Sequence, residues 1–259
     1  MKETYTPGYT SSAVDFMSRR SAERQARFFL PHLKPGIRLL DIGCGPGTIT
    51  VGLAKAVAPG EVVGMDLAES QIELARQRAA DNKLENARFI AGSIYEMPFG
   101  DEGFDAVLAH TVFEHLKEPV PALREIRRVL KPGGLVGLRS PDWGGFIVHP
   151  LSPEIRSGME LFESMQTANG GDVLAGRKLK EWTIAAGFRE VKWSATFEFT
   201  DDVPGISEFL ASQMELHAAG EKRQVNGGAI ARYADAFRKL PALPGAIFGG
   251  AMGEVIAYK

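Results

Sequence analysis

Three glycines, Gly43, Gly45 and Gly47, alternate with Cys44 and Pro46 directly after the apolar run Ile37–Ile42. Glycine lets a backbone turn tightly and approach a ligand with no Cβ in the way. A helix starting behind such a turn offers free N–H groups to that ligand. Asp66 ends the next apolar run, nineteen residues beyond Gly47, where a carboxylate can accept both hydroxyls of a ribose. The dinucleotide spacing G-x-G-x-x-G is not met, because Thr48 and Thr50 stand where its third glycine belongs. No Gly-Lys-Ser/Thr follows, so the loop is not a Walker phosphate loop. The pattern fits a ligand with an adenosine-like ribose and no pyrophosphate.

A second group of reactive side chains follows the fourth apolar run: His110, Glu114 and His115. Imidazole titrates near neutral pH, so His115 is the candidate general base. Its alternative is a residue that merely opens a helix. Cys44 is the single cysteine, which excludes a disulfide framework and a cysteine zinc site. Inside the glycine loop it reads as a small packing residue, not a nucleophile. Glu114 and His115 are adjacent instead of sharing a helical face, and no other cluster has ligand spacing, so no metal is expected.

The elements that position these residues alternate. Short apolar runs at Ile37–Ile42, Glu61–Asp66, Arg88–Ala91, Phe104–Ala109 and Leu135–Leu138 read as buried strands. Between them, Thr48–Val57, Ala68–Asn82 and Pro119–Leu130 have helical spacing, with Pro59-Gly60 and Pro132-Gly133-Gly134 as stops. Ser11–Leu33 reads as an amphipathic helix. Such alternation implies a parallel sheet covered on both faces, with ligands bound beyond the carboxyl ends of its strands. The regularity fails over 141–176, which is rich in proline, glycine, aromatics and methionine. A helix at Arg177–Ala186, a strand at Phe188–Phe199, a helical stretch at 205–240 and a last strand near Ala251–Tyr258 follow.

The 259 residues carry 30 Lys+Arg against 32 Asp+Glu, a formal charge of -2. No basic excess exists to neutralise a phosphate backbone, which argues against a dedicated nucleic-acid partner. No apolar run reaches the roughly 18 residues that span a bilayer, so no membrane partner is expected. The polar start, Met1–Ser12, lacks a signal-peptide core, and the expected location is cytoplasmic.

Leu40-Asp41-Ile42-Gly43-Cys44-Gly45-Pro46-Gly47 closely resembles the first motif of class I S-adenosylmethionine-dependent methyltransferases. Ala122-Leu123-Arg124-Glu125-Ile126-Arg127-Arg128-Val129-Leu130-Lys131-Pro132-Gly133-Gly134, and Met97-Pro98-Phe99 with Phe104-Asp105, resemble the subgroup of ubiquinone/menaquinone-type methyltransferases. The resemblance covers about residues 37–140. It implies an α/β fold: a doubly wound, Rossmann-like, mostly parallel seven-stranded sheet with helices on both faces and an inserted helical cap. The single domain would divide into a sheet core (37–140, 177–200 and 249–259) and a lid and substrate cap (1–36, 141–176 and 201–248).

The resemblance also implies S-adenosyl-L-methionine as cofactor and assigns roles. Asp41 would reach the methionine amino group. Gly43, Cys44, Gly45 and Gly47 would offer backbone to the methionine and ribose. Asp66 would hold the ribose hydroxyls, Leu67 would lie under the adenine, and Gln71 would join the cofactor shell. Ser93-Ile94 would meet the adenine edge, with Ser93 in place of a common Asp. His110 and Thr111 would stand beside the sulfonium. Tyr9 and Arg20 would belong to a lid, Arg20 meeting the methionine carboxylate. The acceptor pocket would take His115, Trp143, Phe146 and Asp172.

The expected activity is methyl transfer to O, N or C of a small-molecule acceptor. Positioning would do most of the work, and a base is required only where the acceptor carries a proton to remove. His110-Thr111-Val112-Phe113 stands where an Asn/Asp-Pro-Pro-Tyr/Phe motif would mark base or glutamine methylation. A nicotinamide-dependent oxidoreductase is the alternative, against which count the missing glycine and the lack of a Tyr-x-x-x-Lys pair. A non-catalytic S-adenosylmethionine-binding protein is another. The oligomeric expectation is monomer or homodimer.

Overall fold

The computed structural model describes residues 5–199, 202–219 and 226–259. The parts of segments 1–36, 177–200 and 201–248 that fall in 1–4, 200–201 and 220–225 lie outside the described residues. Strands β1 (Leu39–Ile42), β2 (Val62–Asp66), β3 (Ala87–Ala91), β4 (Phe104–His110), β5 (Leu130–His149), β6 (Arg189–Phe199) and β7 (Ile247–Tyr258) form one sheet. The spatial order is β3-β2-β1-β4-β5-β7-β6. The first five run parallel, and β7 is antiparallel to both β5 and β6. This is the doubly wound, Rossmann-like order that the resemblance implies. Chain order reverses between β1 and β4, so their carboxyl ends open a crevice.

Helices α1 (Ser11–Ser18), α2 (Ala22–Gln25), α3 (Thr48–Val57), α4 (Glu69–Asp81), α5 (Pro119–Val129), α6 (Pro153–Ala168), α7 (Ala175–Ala185), α8 (Val203–Ala219) and α9 (Gly227–Lys239) surround the sheet. Leu40, Ile42, Val107 and Ala109 pack with Leu123 and Ile126 of α5 and Leu179 of α7. Their strand neighbours Leu39, Ala106 and Leu108 point to the other face, against Leu53 and Val57 of α3 and Phe29. Both faces are covered, which is why these strands read as unbroken apolar runs.

Three expectations from the sequence are corrected. Ser11–Leu33 is not one helix but α1, α2 and a 3-10 turn at Leu30–His32. The break lets its apolar residues serve two cores. Ala13 joins a core above the strand ends, while Ala22, Ala26 and Phe29 cover the sheet.

Residues 141–176 are not irregular. β5 runs on to His149 through a bulge between Asp142 and Ile147, because β7 pairs with it along that length. Helix α6 then begins at Pro153, with the Ser152 side chain accepting from the Ile155 N–H at 3.2 Å. Accordingly β7 begins at Ile247, not near Ala251. The stretch read as helical at 205–240 holds α8 and α9, with 220–225 outside the described residues.

Ala13, Ile155, Phe162, Phe209, Ile230, Phe237 and Phe248 share the second core. It draws on 1–36, 141–176 and 201–248 together. No described helix is long and apolar enough to cross a membrane.

Candidate functional site

β1 delivers the chain into the glycine loop. Gly43, Gly45 and Gly47 all have left-handed backbone, with φ of 67°, 51° and 79°. A Cβ at Gly43 would overlap Val112, and one at Gly47 would stand 2.9 Å from Ala75 Cβ. The Gly43 and Cys44 N–H groups both donate to the Met65 carbonyl, at 2.7 and 3.1 Å. Burial pushes the Cys44 thiol pKa up, which suits packing and not nucleophilic attack.

Asp66 spans the loop and the next helix. Its Oδ2 accepts from the Gly45 N–H at 2.9 Å and its Oδ1 from the Ala68 N–H at 3.0 Å. Burial raises its pKa against those hydrogen bonds. Asp41 accepts from the Thr50 hydroxyl at 2.6 Å, and burial raises its carboxyl to about 7. Gly92 N–H donates to the Asp66 carbonyl at 2.9 Å, which brings Ser93 and Ile94 beside the end of β2. Leu67 is 55% exposed there, an apolar surface open to a flat ring.

At the end of β4, Thr111 has a φ of 54°. For a β-branched residue this is a strained backbone, of the kind that clusters at ligand sites. Two bonds hold it: its N–H donates to the Arg139 carbonyl at 2.7 Å, and its hydroxyl accepts from Arg20 Nη1 at 2.8 Å. His110 is buried beside it, and burial with Arg20 and Arg139 pushes its pKa well below the usual imidazole range. A neutral imidazole can face a cation without repulsion.

A cavity of about 230 Å³ opens from this end of the sheet. Its wall includes Tyr5, Phe16, Met17 and Arg20 from the N-terminal segment, and His110, Thr111, Glu114 and His115 from the end of β4. Trp143, Phe146, Phe162, Phe209 and Phe248 give it an aromatic side, and Arg19, Arg24, Gln25 and Asp202 a polar one. Trp143 stacks on Phe162 at 4.9 Å and meets Phe146 edge-on at 4.4 Å. Gly250 leaves the room that the Phe146 ring occupies. Along one side, Arg139 pairs with Glu198 at 2.8 Å and Glu254 at 3.1 Å, and Glu198 faces the cavity.

The family described as Methyltransferase domain matches residues 33–192. The chain belongs to it. An uncharacterized methyltransferase of Schizosaccharomyces pombe is 37% identical over 71% of this chain and 68% of that protein. Demethylmenaquinone methyltransferase of Staphylococcus aureus is 39% identical over 40% of this chain, and the match spans only 43% of that enzyme. The YcgJ structure of Bacillus subtilis shares the fold, with a TM-score of 0.63 at 18% identity over 92% of this chain and 98% of that one.

The methyltransferase is thus of the class I, S-adenosylmethionine-dependent kind, and its residues fit that cofactor. The loop is a cradle that side chains would fill, and the buried Gln71 Oε1 and His110 Nδ1 have no partner. Asp41 and His110 line the cleft at the loop, Asp66 bonds to Gly45 within it, Thr111 lines the adjoining cavity, and Gln71 is buried in the first turn of α4. Tyr9 stacks on Tyr5 at 5.2 Å, and its pKa is raised by burial and by Asp66.

One substrate expectation is corrected. Asp172 does not line the cavity of the methyltransferase. Its carboxylate accepts from the Leu174 N–H at 2.9 Å and pairs with Lys178 at 2.5 Å. His115 lines the cavity, but burial, with Arg20 adding, lowers its pKa to about 3, so it holds a proton poorly near neutral pH. Phe16, Phe209, Phe248 and Glu198 were not legible as pocket residues. Their only signal was apolar or alternating spacing, which any core shares. Among the described residues no group of three His, Cys, Asp or Glu is placed to hold a metal ion.

Proposed function

We propose that this methyltransferase transfers a methyl group to a small-molecule acceptor bound in the 230 Å³ cavity, largely by holding acceptor and methyl donor in line. The observation that carries the reading is shared walls. Met17, Arg20 and His110 line both this cavity and the smaller cleft at the glycine loop. S-adenosylmethionine supplies an activated methyl on a positively charged sulfur.

The chain's own residues do the rest. The Gly43–Gly47 backbone and Asp41 would hold the methionine part, and Asp66 the ribose hydroxyls. Leu67, Ser93 and Ile94 would take the adenine. The half-buried Arg20 would meet the methionine carboxylate, and neutral His110 would face the sulfonium. The aromatic wall would exclude water and orient the acceptor.

The test has two arms. Calorimetry should show S-adenosylhomocysteine binding, with no fluorescence response to NADH. Incubation with methyl-labelled cofactor and a metabolite panel should yield labelled product. Binding without turnover on any acceptor would leave a binding protein, and NADH binding alone would overturn the reading.

A further inference from the structure

Glu114 stands where the cavity meets the end of β4. Its side chain is 3% exposed, and Glu114 is part of the cavity wall. The residue is held from three directions. Its backbone carbonyl accepts from Gln166 Nε2 at 2.8 Å and from the Asp172 N–H at 2.9 Å. The Ser140 hydroxyl donates to Oε2 at 2.8 Å. The other oxygen, Oε1, lies 3.6 Å from His115 Nε2, beyond hydrogen-bond length, and keeps lone pairs for a ligand. A carboxylate buried in an apolar pocket is costly, so its retention among aromatic walls asks for a task.

The cavity indicates what meets it. An engineered apolar cavity of about 150 Å³ takes benzene. One of about 230 Å³, walled by Phe16, Trp143, Phe146, Phe162, Phe209 and Phe248, suits one or two fused flat rings.

We propose that Glu114 accepts the proton of an aromatic hydroxyl as that oxygen is methylated, with Ser140 as the residue that positions the carboxylate. This rests on the methyltransferase reading above. The acceptor O–H bond breaks, its proton passing to Glu114 and its electron pair staying on oxygen. That pair forms the new bond to methyl, and the carbon–sulfur pair of the donor leaves with sulfur. Glu114 returns the proton to water once the pocket opens.

Burial raises the Glu114 carboxyl to about 7, with a hydrogen bond from its own backbone N–H, the Ser140 hydrogen bond and Arg20 pulling it down. A base so tuned is half-loaded near neutral pH. The charged or titratable groups around it are Arg20 and Tyr5 from the N-terminal segment and His115 from its own turn.

The experiment compares wild type, Glu114→Gln, Glu114→Asp and Ser140→Ala, with 2-naphthol and 2-naphthylamine as probes and S-adenosylhomocysteine binding as the control for folding. Wild type should methylate the naphthol oxygen, with kcat rising through a limb near pH 7. Glu114→Gln should lose about 10²–10⁴ in kcat and the limb with it, while S-adenosylhomocysteine affinity stays within about twofold. Glu114→Asp should keep part of the rate, and Ser140→Ala should shift the limb. The infrared difference spectrum of the S-adenosylhomocysteine complexes, wild type minus Glu114→Gln, in which the raised Asp41 cancels, should show a carboxylic-acid C=O band that fades as pH rises through neutral. An unaltered rate and limb in Glu114→Gln, an infrared spectrum the substitution does not change, or methylation of the amine alone would each overturn the proposal. So would S-adenosylhomocysteine binding with no naphthol methylation. Failure of wild type to bind S-adenosylhomocysteine would instead sink the methyltransferase reading beneath it.

Discussion

Arg20 Nη1 donates to the Thr111 hydroxyl at 2.8 Å, joining the N-terminal segment to the strained residue at the end of β4. Burial lowers the Arg20 pKa, yet the guanidinium remains a cation at neutral pH. It sits between the glycine-loop cleft and the larger cavity, lining both. One side chain therefore ties the N-terminal segment to a backbone outlier and lines both spaces.

Arg20→Ala should weaken S-adenosylhomocysteine binding by about tenfold or more. Hydrogen bonds to charged groups contribute about 1.5–3 kcal/mol, and each 1.4 kcal/mol is tenfold. Amide hydrogen exchange over residues 5–20 should speed up in the same variant. Unchanged affinity together with unchanged exchange would rule out the latch.

Asp66→Ala should cost about 1–3 kcal/mol of S-adenosylhomocysteine affinity, from the loss of charge-assisted hydrogen bonds. It also frees the Gly45 N–H, which now donates to Asp66 at 2.9 Å, so loop order should fall too. Calorimetry on a variant with a native circular dichroism spectrum decides the point. Wild-type affinity would remove Asp66 from the cofactor site.

Gly47→Ala places a Cβ at a φ of 79° and 2.9 Å from Ala75 Cβ. The left-handed conformation alone costs about 1–2 kcal/mol, and the clash with α4 adds to it. The melting temperature should fall by roughly 2–8 °C, at about 2–4 °C per kcal/mol for a chain of this size. A melt equal to wild type would show that the loop relaxes freely.

Glu114→Gln should change how stability depends on pH. A glutamate in the unfolded chain titrates near about 4.3, whereas folded Glu114 is raised to about 7. Between those values the folded state keeps a proton that the unfolded state has lost. Its contribution is therefore full below about 4.3 and lost as pH rises through about 7. Glutamine has no such dependence. Melting temperature, variant minus wild type, should grow more positive from pH 5 to pH 8. The raised Asp41 and the lowered His115 are common to both proteins and drop out of the difference. A flat difference across that range would contradict the shift.

The glycine loop, Asp66 and the five parallel strands were legible in the chain because each needs only neighbours in sequence. A left-handed turn asks for glycine at that position, and a strand buried on both faces asks for consecutive apolar residues. The long β5 was not legible, because its extension to His149 exists only where β7 pairs with it. Nor was the split of the Ser11–Leu33 segment, since amphipathic spacing looks the same whether one core or two receive the apolar face.

The site divides the same way. Sequence by itself determined the family, the cofactor and most of the residues in the cleft around the loop, all carried by short contiguous motifs. Only the tertiary structure separates the two titratable neighbours at the end of β4. Glu114 and His115 are adjacent in the chain, but burial raises one carboxyl to about 7 and drops the imidazole to about 3. It also decided the cavity wall, where Phe16, Phe209 and Phe248 meet from three distant segments. Local backbone demands are written at adjacent positions. Desolvation and the convergence of side chains depend on how the whole chain packs, and exist only once it has folded.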